Sequence, residues 1–420
     1  MDTVTTETET GTLIVGAGEA GLGIAVALRN AGYTAPVTIT GLEADPPYQR
    51  PPLSKEFLAG EMDEENLLLR ADDFYQDKDL RLLTNAHIED IVLDEDSAGG
   101  TATTSAGHAI HFDGLALATG ASPRRLPVPG GDLDGVCYLR DIPDARRLRT
   151  LLPGATRVVV VGGGYIGLEA AAVARGRGLD VTVVETFDRL LQRVAAPPIS
   201  EFFRTAHEKR GAKVLLGASV TALRGSAGSV SGVELSDGMV LPADLVIIGI
   251  GVEPRIELAQ KLGLDCGRGI IVDDAARTSN PAIVAAGDCT MQPHPLYPTE
   301  SICLESVQNA ADQAKVAAAS LMDGPRPERA VPWFWSNQAD IRLQIAGLSM
   351  GFDDYVIRGE PGTEQFTVLY YRDGRLIAAD AVNNPHDFMA VKRALAKGAT
   401  IDPTDAHNTG LPLKTLIREI

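Results

Sequence analysis

The stretch T-L-I-V-G-A-G-E-A-G at residues 12–21 decides the fold. Its apolar half predicts a short buried strand, and the glycines after it predict a tight turn into a helix. A dinucleotide pyrophosphate needs this arrangement, because only glycine lets phosphate oxygens approach the backbone closely and the helix N-terminus beyond it attracts the anion. Gly16, Gly18 and Gly21 hold the three glycine positions. Taken alone the pattern is weak, since any tight strand-to-helix connection explains it about as well.

An acidic residue at the right distance strengthens the dinucleotide interpretation. Glu43 follows Gly21 by 22 residues, close to the ~20 at which an acid hydrogen-bonds a ribose diol. Glu43 is therefore the candidate residue for binding the ribose.

A second copy of the arrangement begins at Val158. Gly162, Gly164 and Gly167 hold its glycine positions, and Glu185 follows the last of them by 18 residues. The Glu185 carboxylate can accept both hydroxyls of an adenosine ribose, whereas a 2'-phosphate there would meet a like charge. The chain is therefore expected to prefer NADH over NADPH, although two arginines lie close enough downstream to weaken that preference, Arg189 and Arg193.

Composition limits the remaining possibilities. The 420 residues are 45% hydrophobic and carry a net charge of -18, which indicates a soluble globular protein of two to four domains and argues against a nucleic-acid partner. No uninterrupted apolar run reaches the ~18 residues of a membrane span. Residues 1–10 have neither a basic nor an apolar region, so no secretory signal is readable and the cytoplasm is the expected location.

The four cysteines, Cys137, Cys266, Cys289 and Cys303, lie far apart and form no CxxC pair or metal-ligand spacing. They are expected to be small hydrophobic side chains in a reducing compartment. A flavin disulfide reductase would need a redox-active pair, which the chain lacks. The seven histidines show no ligand spacing, so no metal site is predicted.

One segment identifies a family. The run YQRPPLSK at residues 48–55, placed after a GxGxxG strand, resembles the FAD-dependent NADH:ferredoxin reductases that serve bacterial oxygenases, of the putidaredoxin, rhodocoxin and biphenyl dioxygenase reductase type. Six further motifs stand in the family's order: ATG at 118–120, YLR at 138–140, GGGYIGLE at 162–169, AAGDC at 285–289, ESVQNA at 305–310 and PWFWSNQ at 332–338. The resemblance therefore covers nearly the whole chain.

The resemblance implies an α/β fold with two nucleotide-binding Rossmann-like domains of the glutathione-reductase type and a small α+β C-terminal domain. The boundaries expected from the sequence are 1–122 with 247–328 for the FAD domain, 123–246 for the NADH domain and 329–420 for the C-terminal domain. The aromatic start of this last domain is expected either in its core or as one wall of a flavin pocket.

The same resemblance implies which residues bind the two cofactors. FAD is expected to contact residues of the first fingerprint and of several later motifs: Gly16, Gly18, Ala20, Gly21, Glu43, Arg50, Lys55, Ile88, Thr119, Gly120, Arg140, Asp288 and Val307. From the residues alone, Ile88 could equally be core and Arg140 a surface arginine. NADH is expected to contact the second fingerprint and residues C-terminal to it: Gly162, Gly164, Ile166, Gly167, Glu185 and Gly251.

Three residues are expected to act in hydride transfer. In the family, a tyrosine at the position of Tyr165 covers the flavin until nicotinamide displaces it, and an acid at Glu169 helps hold the carboxamide. Glu169 falls in an apolar segment, where a carboxylate usually has a partner. We predict that this partner is Lys55, whose charge would stabilise reduced flavin. Ser54 is predicted to cap the helix after a stiff, extended, proline-rich segment.

A [2Fe-2S] ferredoxin that feeds a P-450 or Rieske oxygenase is the expected electron acceptor. Such ferredoxins are usually acidic, so docking on this acidic chain would need a local basic patch. Alternatives are an NADH oxidase that forms peroxide, and an NADH-responsive flavin-bearing interaction protein. A monomer or weak dimer is expected. The candidate docking residues are Lys392, Arg393, Lys397, Lys414 and Arg418.

Overall fold

A computed structural model describes residues 10–95 and 99–419. Residues 1–9, where no secretory signal is readable, lie outside the described part. The described residues form two compact units. Unit 1 comprises residues 10–49, 64–122 without 96–98, and 252–329, and unit 2 comprises 50–63, 123–251 and 330–419.

Unit 1 is built on a five-stranded parallel sheet. Its strands, in spatial order, are Ile283–Ala285, Gly114–Leu117, Thr12–Val15, Val37–Thr40 and Arg81–Leu83. The three central strands are buried along nearly their whole length because both faces of the sheet are covered. Helices Glu19–Asn30 and Val307–Leu321 pack on one face. An antiparallel meander contributes to the core on the other face, and its strands are Ile88–Leu93, Gly100–Thr104 and Ala109–Phe112.

The first half of unit 2 repeats this plan. Its parallel sheet has the order Lys213–Leu215, Asp180–Val184, Arg157–Val161, Leu245–Ile248 and Val136–Tyr138. Helix Tyr165–Gly176 follows the central strand. A three-stranded antiparallel sheet packs on the parallel one: Val220–Ser226, Ser229–Leu235 and Val240–Pro242.

The second half of unit 2 is an antiparallel sheet with a helix packed on it. The strand order is Trp333–Gln338, Ile341–Gly347, Arg375–Val382, Gln365–Arg372 and Asp354–Glu360. Helix Pro385–Ala396 buries Phe388, Val391 and Ala394 against this sheet. This arrangement is the α+β architecture expected from the sequence for the C-terminal region.

The remaining elements are short connections, apart from two longer helices, Ile142–Leu151 and Pro197–Lys209. The short helices are Glu56–Ala59, Asp72–Asp77, Glu257–Lys261 and Pro403–Ala406, with 3-10 turns at Pro51–Ser54, Glu64–Leu67, Leu152–Gly154, Pro361–Thr363 and Leu413–Thr415. The short strands are Ala121–Pro123, Val252–Pro254, Ile270–Ile271, Thr290–Pro293, Ser301–Ile302, Thr400–Ile401 and Ile417–Arg418.

The mixed α/β fold with two parallel nucleotide-type sheets agrees with the fold class expected from the sequence. Unit 1 covers most of the residues expected for the FAD domain, and unit 2 covers those expected for the two other domains together with residues 50–63. The finer division into three domains stays a prediction.

Candidate functional site

The glycine turn of unit 1 has no room for side chains at two of its positions. Gly16 has φ +123°, and a Cβ there would lie 1.9 Å from the carbonyl oxygen of Ala118. A Cβ on Gly21 would lie 1.8 Å from the carbonyl oxygen of Gly16, so this glycine is what lets the helix lie close on the strand. Ala20 is buried between these positions on the same helix.

Gly18 is different, because a Cβ on it would meet no described atom within 4 Å. It is the N-cap of helix Glu19–Asn30, and no side chain of the described residues caps that helix. The first N–H groups of a helix have no partner within the helix and attract anions. The turn therefore offers open space and unused donors at one place, which fits a dinucleotide pyrophosphate.

The carboxyl edge of the unit 1 sheet carries several of the other predicted FAD residues. Glu43 follows strand Val37–Thr40 and accepts a hydrogen bond from the Tyr48 hydroxyl at 2.5 Å. Thr119 and Gly120 follow strand Gly114–Leu117, and Asp288 follows strand Ile283–Ala285. Val307 begins helix Val307–Leu321. Because these strands are parallel, their carboxyl ends lie at one edge. Ile88 lies in the core instead, with 2% of its surface exposed.

The second fingerprint, in unit 2, has the same geometry. Gly162 has φ +107°, and its Cβ would lie 2.4 Å from the carbonyl oxygen of Gly249. A Cβ on Gly167 would lie 2.2 Å from the carbonyl oxygen of Gly162. Gly164 is open, with its nearest described neighbour 4.0 Å away, and no described side chain caps the helix that it begins. This turn also fits a dinucleotide pyrophosphate. Ile166 lies in the first turn of that helix and Gly251 follows strand Leu245–Ile248.

Glu185 follows strand Asp180–Val184 and faces the second glycine turn. Its carboxylate accepts hydrogen bonds from the main-chain N–H of Gly163 at 2.6 Å and of Phe187 at 2.9 Å. The Arg189 guanidinium donates to three acceptors of its own, the carbonyls of Ala195 and Gln192 and the Ser200 hydroxyl, at 2.5–2.9 Å. Its donors are thus used locally, away from the Glu185 carboxylate.

A buried ion pair lies within unit 2. The Lys55 Nζ is 2.7 Å from Glu169 Oε2, with 10% of the lysine side chain and 3% of the glutamate side chain exposed. The predicted pairing of these two residues is confirmed. The Ser54 hydroxyl donates to the same oxygen at 2.5 Å, and the Ser336 hydroxyl donates to Oε1 at 2.6 Å. Three donors therefore hold one carboxylate away from solvent, as a buried charge requires.

Two expectations for the proline-rich segment were wrong. Residues Pro51–Ser54 form a 3-10 turn rather than an extended segment. Lys55 is the N-cap of helix Glu56–Ala59, and no described side chain caps it. Ser54 points its hydroxyl at Glu169 instead, because a buried carboxylate is a strong acceptor for a hydroxyl proton, whereas a cap position would use only the hydroxyl oxygen.

The two predicted arginines of unit 2 lie together. The Arg50 guanidinium donates to the main-chain carbonyl of Arg140 at 2.9 Å. Arg140 follows strand Val136–Tyr138, and its N–H donates to Asp144 at 3.0 Å. These hydrogen bonds within unit 2 hold the Arg140 backbone and place the Arg50 guanidinium against it.

Tyr165 begins helix Tyr165–Gly176, and its ring packs on Phe334 with 4.9 Å between ring centroids. Its hydroxyl is buried and forms no hydrogen bond with any described residue. Burial, and then the nearby Asp380 carboxylate, hold the pKa of Tyr165 well above its usual value. Rotating this ring away would break no hydrogen bond of its hydroxyl in the described structure.

Asp380, on strand Arg375–Val382, is a buried carboxyl with one donor. The Tyr370 hydroxyl donates to its Oδ2 at 2.6 Å, and Oδ1 has no partner among the described residues. Burial raises the pKa of Asp380 from 3.8 to about 7. At neutral pH the buried group is therefore only partly ionised.

This shift predicts a pH-dependent stability. The folded protein binds a proton at Asp380 that the unfolded chain releases, so Asp380 should make the protein less stable as pH rises from about 4 to about 7, by about 1.4 kcal/mol per pH unit. Above that range no further loss is expected. We expect the melting temperature of Asp380→Asn, minus that of the wild-type protein, to increase from pH about 4 to about 7. Calorimetry at half-unit pH steps measures this difference. A constant difference between the two would contradict the shift.

The comparisons with known proteins agree with this geometry. Residues 10–317 match the family model of the pyridine nucleotide-disulphide oxidoreductases, and residues 333–417 match the reductase C-terminal model. The chain belongs to the pyridine nucleotide-disulphide oxidoreductase family. Members of this family contain FAD and use NAD(P)H, so the expected cofactors are confirmed, and the chain is an FAD-dependent oxidoreductase.

Relatives within this family align over nearly their whole length. The probable ferredoxin reductase CtmF of Castellaniella defragrans is 43% identical over 93% of this chain and 94% of its own. Rhodocoxin reductase of Rhodococcus erythropolis is 41% identical over 96% and 94%. The covalent putidaredoxin reductase-putidaredoxin complex matches with a TM-score of 0.93 and 37% identity over 98% of both chains. The expected resemblance is confirmed.

Despite the family name, the described residues contain no disulfide. The described cysteines are all free, and burial raises the pKa of each thiol. The described residues also hold no cluster of metal-ligating side chains, and none of their helices is long and apolar enough to span a membrane.

Sequence reasoning missed three residues connected to Glu169. Ser336 and Gln338 stand in the motif PWFWSNQ, which marks the family but gives no role to either side chain. His207, on helix Pro197–Lys209, is far from any motif and has no role predicted from the sequence. The motif could have pointed to the first two residues, but nothing in the sequence marks the histidine.

Proposed function

We propose that this chain passes hydride from NADH to bound FAD and then single electrons to a [2Fe-2S] ferredoxin that feeds a P-450 or Rieske oxygenase. The observation that carries this proposal is the nearly full-length similarity to reductases named for ferredoxin-type partners. FAD supplies the required chemistry when bound, since it takes up two electrons as a hydride and releases them one at a time. The chain's own residues would bind the two nucleotides, orient the nicotinamide and stabilise negative charge on the reduced flavin.

In this proposal each unit binds one nucleotide at its glycine turn. In unit 1 the N–H groups beyond Gly18 bind the FAD pyrophosphate, and Glu43 accepts the ribose hydroxyls. Thr119 and Asp288, at the same edge of the sheet, would also contact FAD. In unit 2 the N–H groups beyond Gly164 bind the NADH pyrophosphate. The fit of both turns rests on their open, uncapped helix starts.

Lys55, Glu169 and Tyr165 are the proposed catalytic residues. The Lys55 ammonium would stabilise negative charge on the reduced flavin, and the Glu169 carboxylate fixes its position at 2.7 Å. Glu169 would also orient the nicotinamide carboxamide. Tyr165, whose hydroxyl has no hydrogen bond within the described residues, would move aside for the nicotinamide ring.

A preference for NADH over NADPH is part of the proposal. The Glu185 carboxylate lies at the strand end beside the second turn, where it repels a 2'-phosphate. The donors of Arg189 are already bound to three local acceptors, so this side chain is poorly placed to compensate that repulsion. A cytoplasmic location suits an enzyme that draws on NADH, and we propose a monomer or weak dimer.

The proposed ferredoxin-docking surface is the outer face of helix Pro385–Ala396 and its C-cap. Arg393 and Lys397 are exposed, and Met389 on the same helix has 54% of its surface exposed. Lys392 lies over the Trp333 ring, with its Nζ 4.7 Å from the ring centroid. Cations around an exposed apolar side chain suit an acidic partner. Arg418 is a weaker candidate than Lys414 because it pairs with Asp405 at 2.5 Å.

The overall proposal is tested by reducing the purified yellow protein without oxygen. Adding NADH is expected to bleach the visible flavin bands. NADPH is expected to do so with a kcat/KM at least about tenfold lower, because tenfold corresponds to about 1.4 kcal/mol and two like charges ~4 Å apart near a protein surface repel by about 4 kcal/mol. A panel of [2Fe-2S] ferredoxins is then assayed for reduction. Stoichiometric peroxide unaffected by any ferredoxin would favour the oxidase alternative, and slow turnover with artificial acceptors the interaction-protein alternative.

Charge reversal tests the docking surface. We expect Lys392→Glu with Arg393→Glu to raise the KM for an acidic ferredoxin about tenfold at low salt, because two attractive charges become repulsive. The effect should shrink as ionic strength rises, because salt screens exposed charges. The matched control reverses Lys209 and Lys213, which are exposed elsewhere on unit 2 and change net charge equally. Equal effects of both pairs would rule the surface out.

A further inference from the structure

A chain of buried hydrogen bonds leads from His207 to Glu169 within unit 2. His207 Nε2 lies 2.8 Å from Gln338 Oε1. The Gln338 Nε2 donates to the Ser336 hydroxyl at 3.2 Å, and that hydroxyl donates to Glu169 Oε1 at 2.6 Å. All four residues are buried, with at most 4% of their surface exposed. These hydrogen bonds connect His207 on its helix, and Gln338 on a strand 131 residues further on, to the carboxylate that pairs with Lys55.

In each of these three hydrogen bonds the donor is the residue further from Glu169, and the acceptor is the residue nearer to it. A glutamine carbonyl oxygen only accepts, so the imidazole must carry its proton on Nε2. With its carbonyl held there, Gln338 presents its amide N–H groups to Ser336. A serine hydroxyl has one proton, and because it accepts from Gln338 it is left to donate to Glu169. The tautomer of His207 thus determines the orientation of the Ser336 hydroxyl, which is two hydrogen bonds away.

We propose that His207 is a positioning residue for hydride transfer, acting through Gln338 and Ser336 to keep a third donor on Glu169. This inference rests on the proposed function, in which Glu169 orients Lys55 and the nicotinamide carboxamide. No proton crosses the chain during turnover. These hydrogen bonds hold the Glu169 carboxylate in one fixed orientation, so that it does not turn away from Lys55.

Removing the histidine N–H has a definite structural consequence. In His207→Phe the Gln338 carbonyl loses its buried donor, and an unsatisfied buried acceptor is costly. The amide can then turn over and present its carbonyl to Ser336. The Ser336 hydroxyl donates to that carbonyl, and Glu169 loses one of its three donors. His207→Gln places an amide N–H where Nε2–H was and should keep the original direction.

The test combines three single variants with one double variant. Flavin reduction by NADH in rapid mixing is expected to slow about tenfold in Ser336→Ala and about threefold to tenfold in His207→Phe, while His207→Gln stays within about twofold of the wild-type protein. In the double variant His207→Phe with Ser336→Ala, the rate should equal that of Ser336→Ala alone, since both changes remove the same donor. Losses that multiply, or a His207→Gln as slow as His207→Phe, would overturn the proposal.

A second readout does not depend on turnover. In protein labelled with 15N-histidine, the imidazole signal that is lost in His207→Gln is assigned to His207, and it is expected to report a proton on Nε2 throughout pH 6–9. A neutral imidazole with its proton on Nδ1 rather than Nε2 would overturn the proposal even if His207→Phe failed to fold. If instead the wild-type flavin were not reduced by NADH at all, the proposed function would fail while the tautomer result still stood.

Discussion

Gly18→Val is expected to fold normally and to be purified without its yellow cofactor. A Cβ at this position meets no described atom within 4 Å, and the backbone has φ -96°, which any residue adopts. The valine side chain would instead fill the space beside the uncapped helix start, where the pyrophosphate must approach the backbone. We expect FAD affinity to fall at least about a hundredfold, measured by titrating FAD into the apoprotein and following flavin fluorescence.

Gly164→Val is the matched control, because its site in unit 2 is equally open. This variant should retain FAD but bind NADH more weakly, with the KM for NADH raised at least about tenfold by the same steric effect. The two substitutions together therefore assign one nucleotide to each turn. Retention of FAD by Gly18→Val at wild-type affinity, or loss of FAD from Gly164→Val, would contradict the assignment.

Glu169→Leu is expected to destabilise the protein strongly. It leaves the Lys55 ammonium, with 10% of its side chain exposed, without its carboxylate. Removing one partner of a buried ion pair costs about 3–5 kcal/mol because a buried charge stays uncompensated. The melting temperature, followed by circular dichroism, should fall accordingly, and flavin reduction by NADH should slow by two orders of magnitude or more.

A double variant separates the charge effect from lost packing. Lys55→Met with Glu169→Leu removes both charges, so most of the stability should return while flavin reduction stays slow. Glu169→Gln keeps the side-chain shape and should fall between the two. If Glu169→Leu were as stable as the wild-type protein, the ion pair would have no structural role.

The sequence was most informative where chemistry leaves few choices. Gly16 and Gly21 were predictable because the backbone passes within 2 Å of where their side chains would be. The pairing of Lys55 with Glu169 agrees with the rule that one carboxylate in an apolar helix must find a partner somewhere. Both predictions rest on a strong local penalty that a sequence displays directly.

Predictions failed where two local preferences competed with a distant contact. Ser54 stands where a helix cap is common, yet its hydroxyl is used by a carboxylate 115 residues away. The prolines of residues 51–54 fit an extended chain and a 3-10 turn alike, and tertiary packing chose the turn. His207 is visible as a functional candidate only through Gln338, because hydrogen bonds across 131 residues leave no spacing to read.

The separation of Lys55 from Glu169 also affects how the protein is made. The two residues are 114 positions apart, and residues 50–63 fold with unit 2 although they lie within the sequence of unit 1. A ribosome adds about 5–20 residues per second, so the lysine waits on the order of ten seconds for its partner. Throughout that time the nascent chain must keep this charged segment hydrated, and unit 1 cannot be completed until residues beyond 252 emerge. Neither unit can be obtained by cutting the gene at one point, because the chain passes between the units after residues 49, 63, 122, 251 and 329. Split or truncated versions of this enzyme will have to respect each of these crossings.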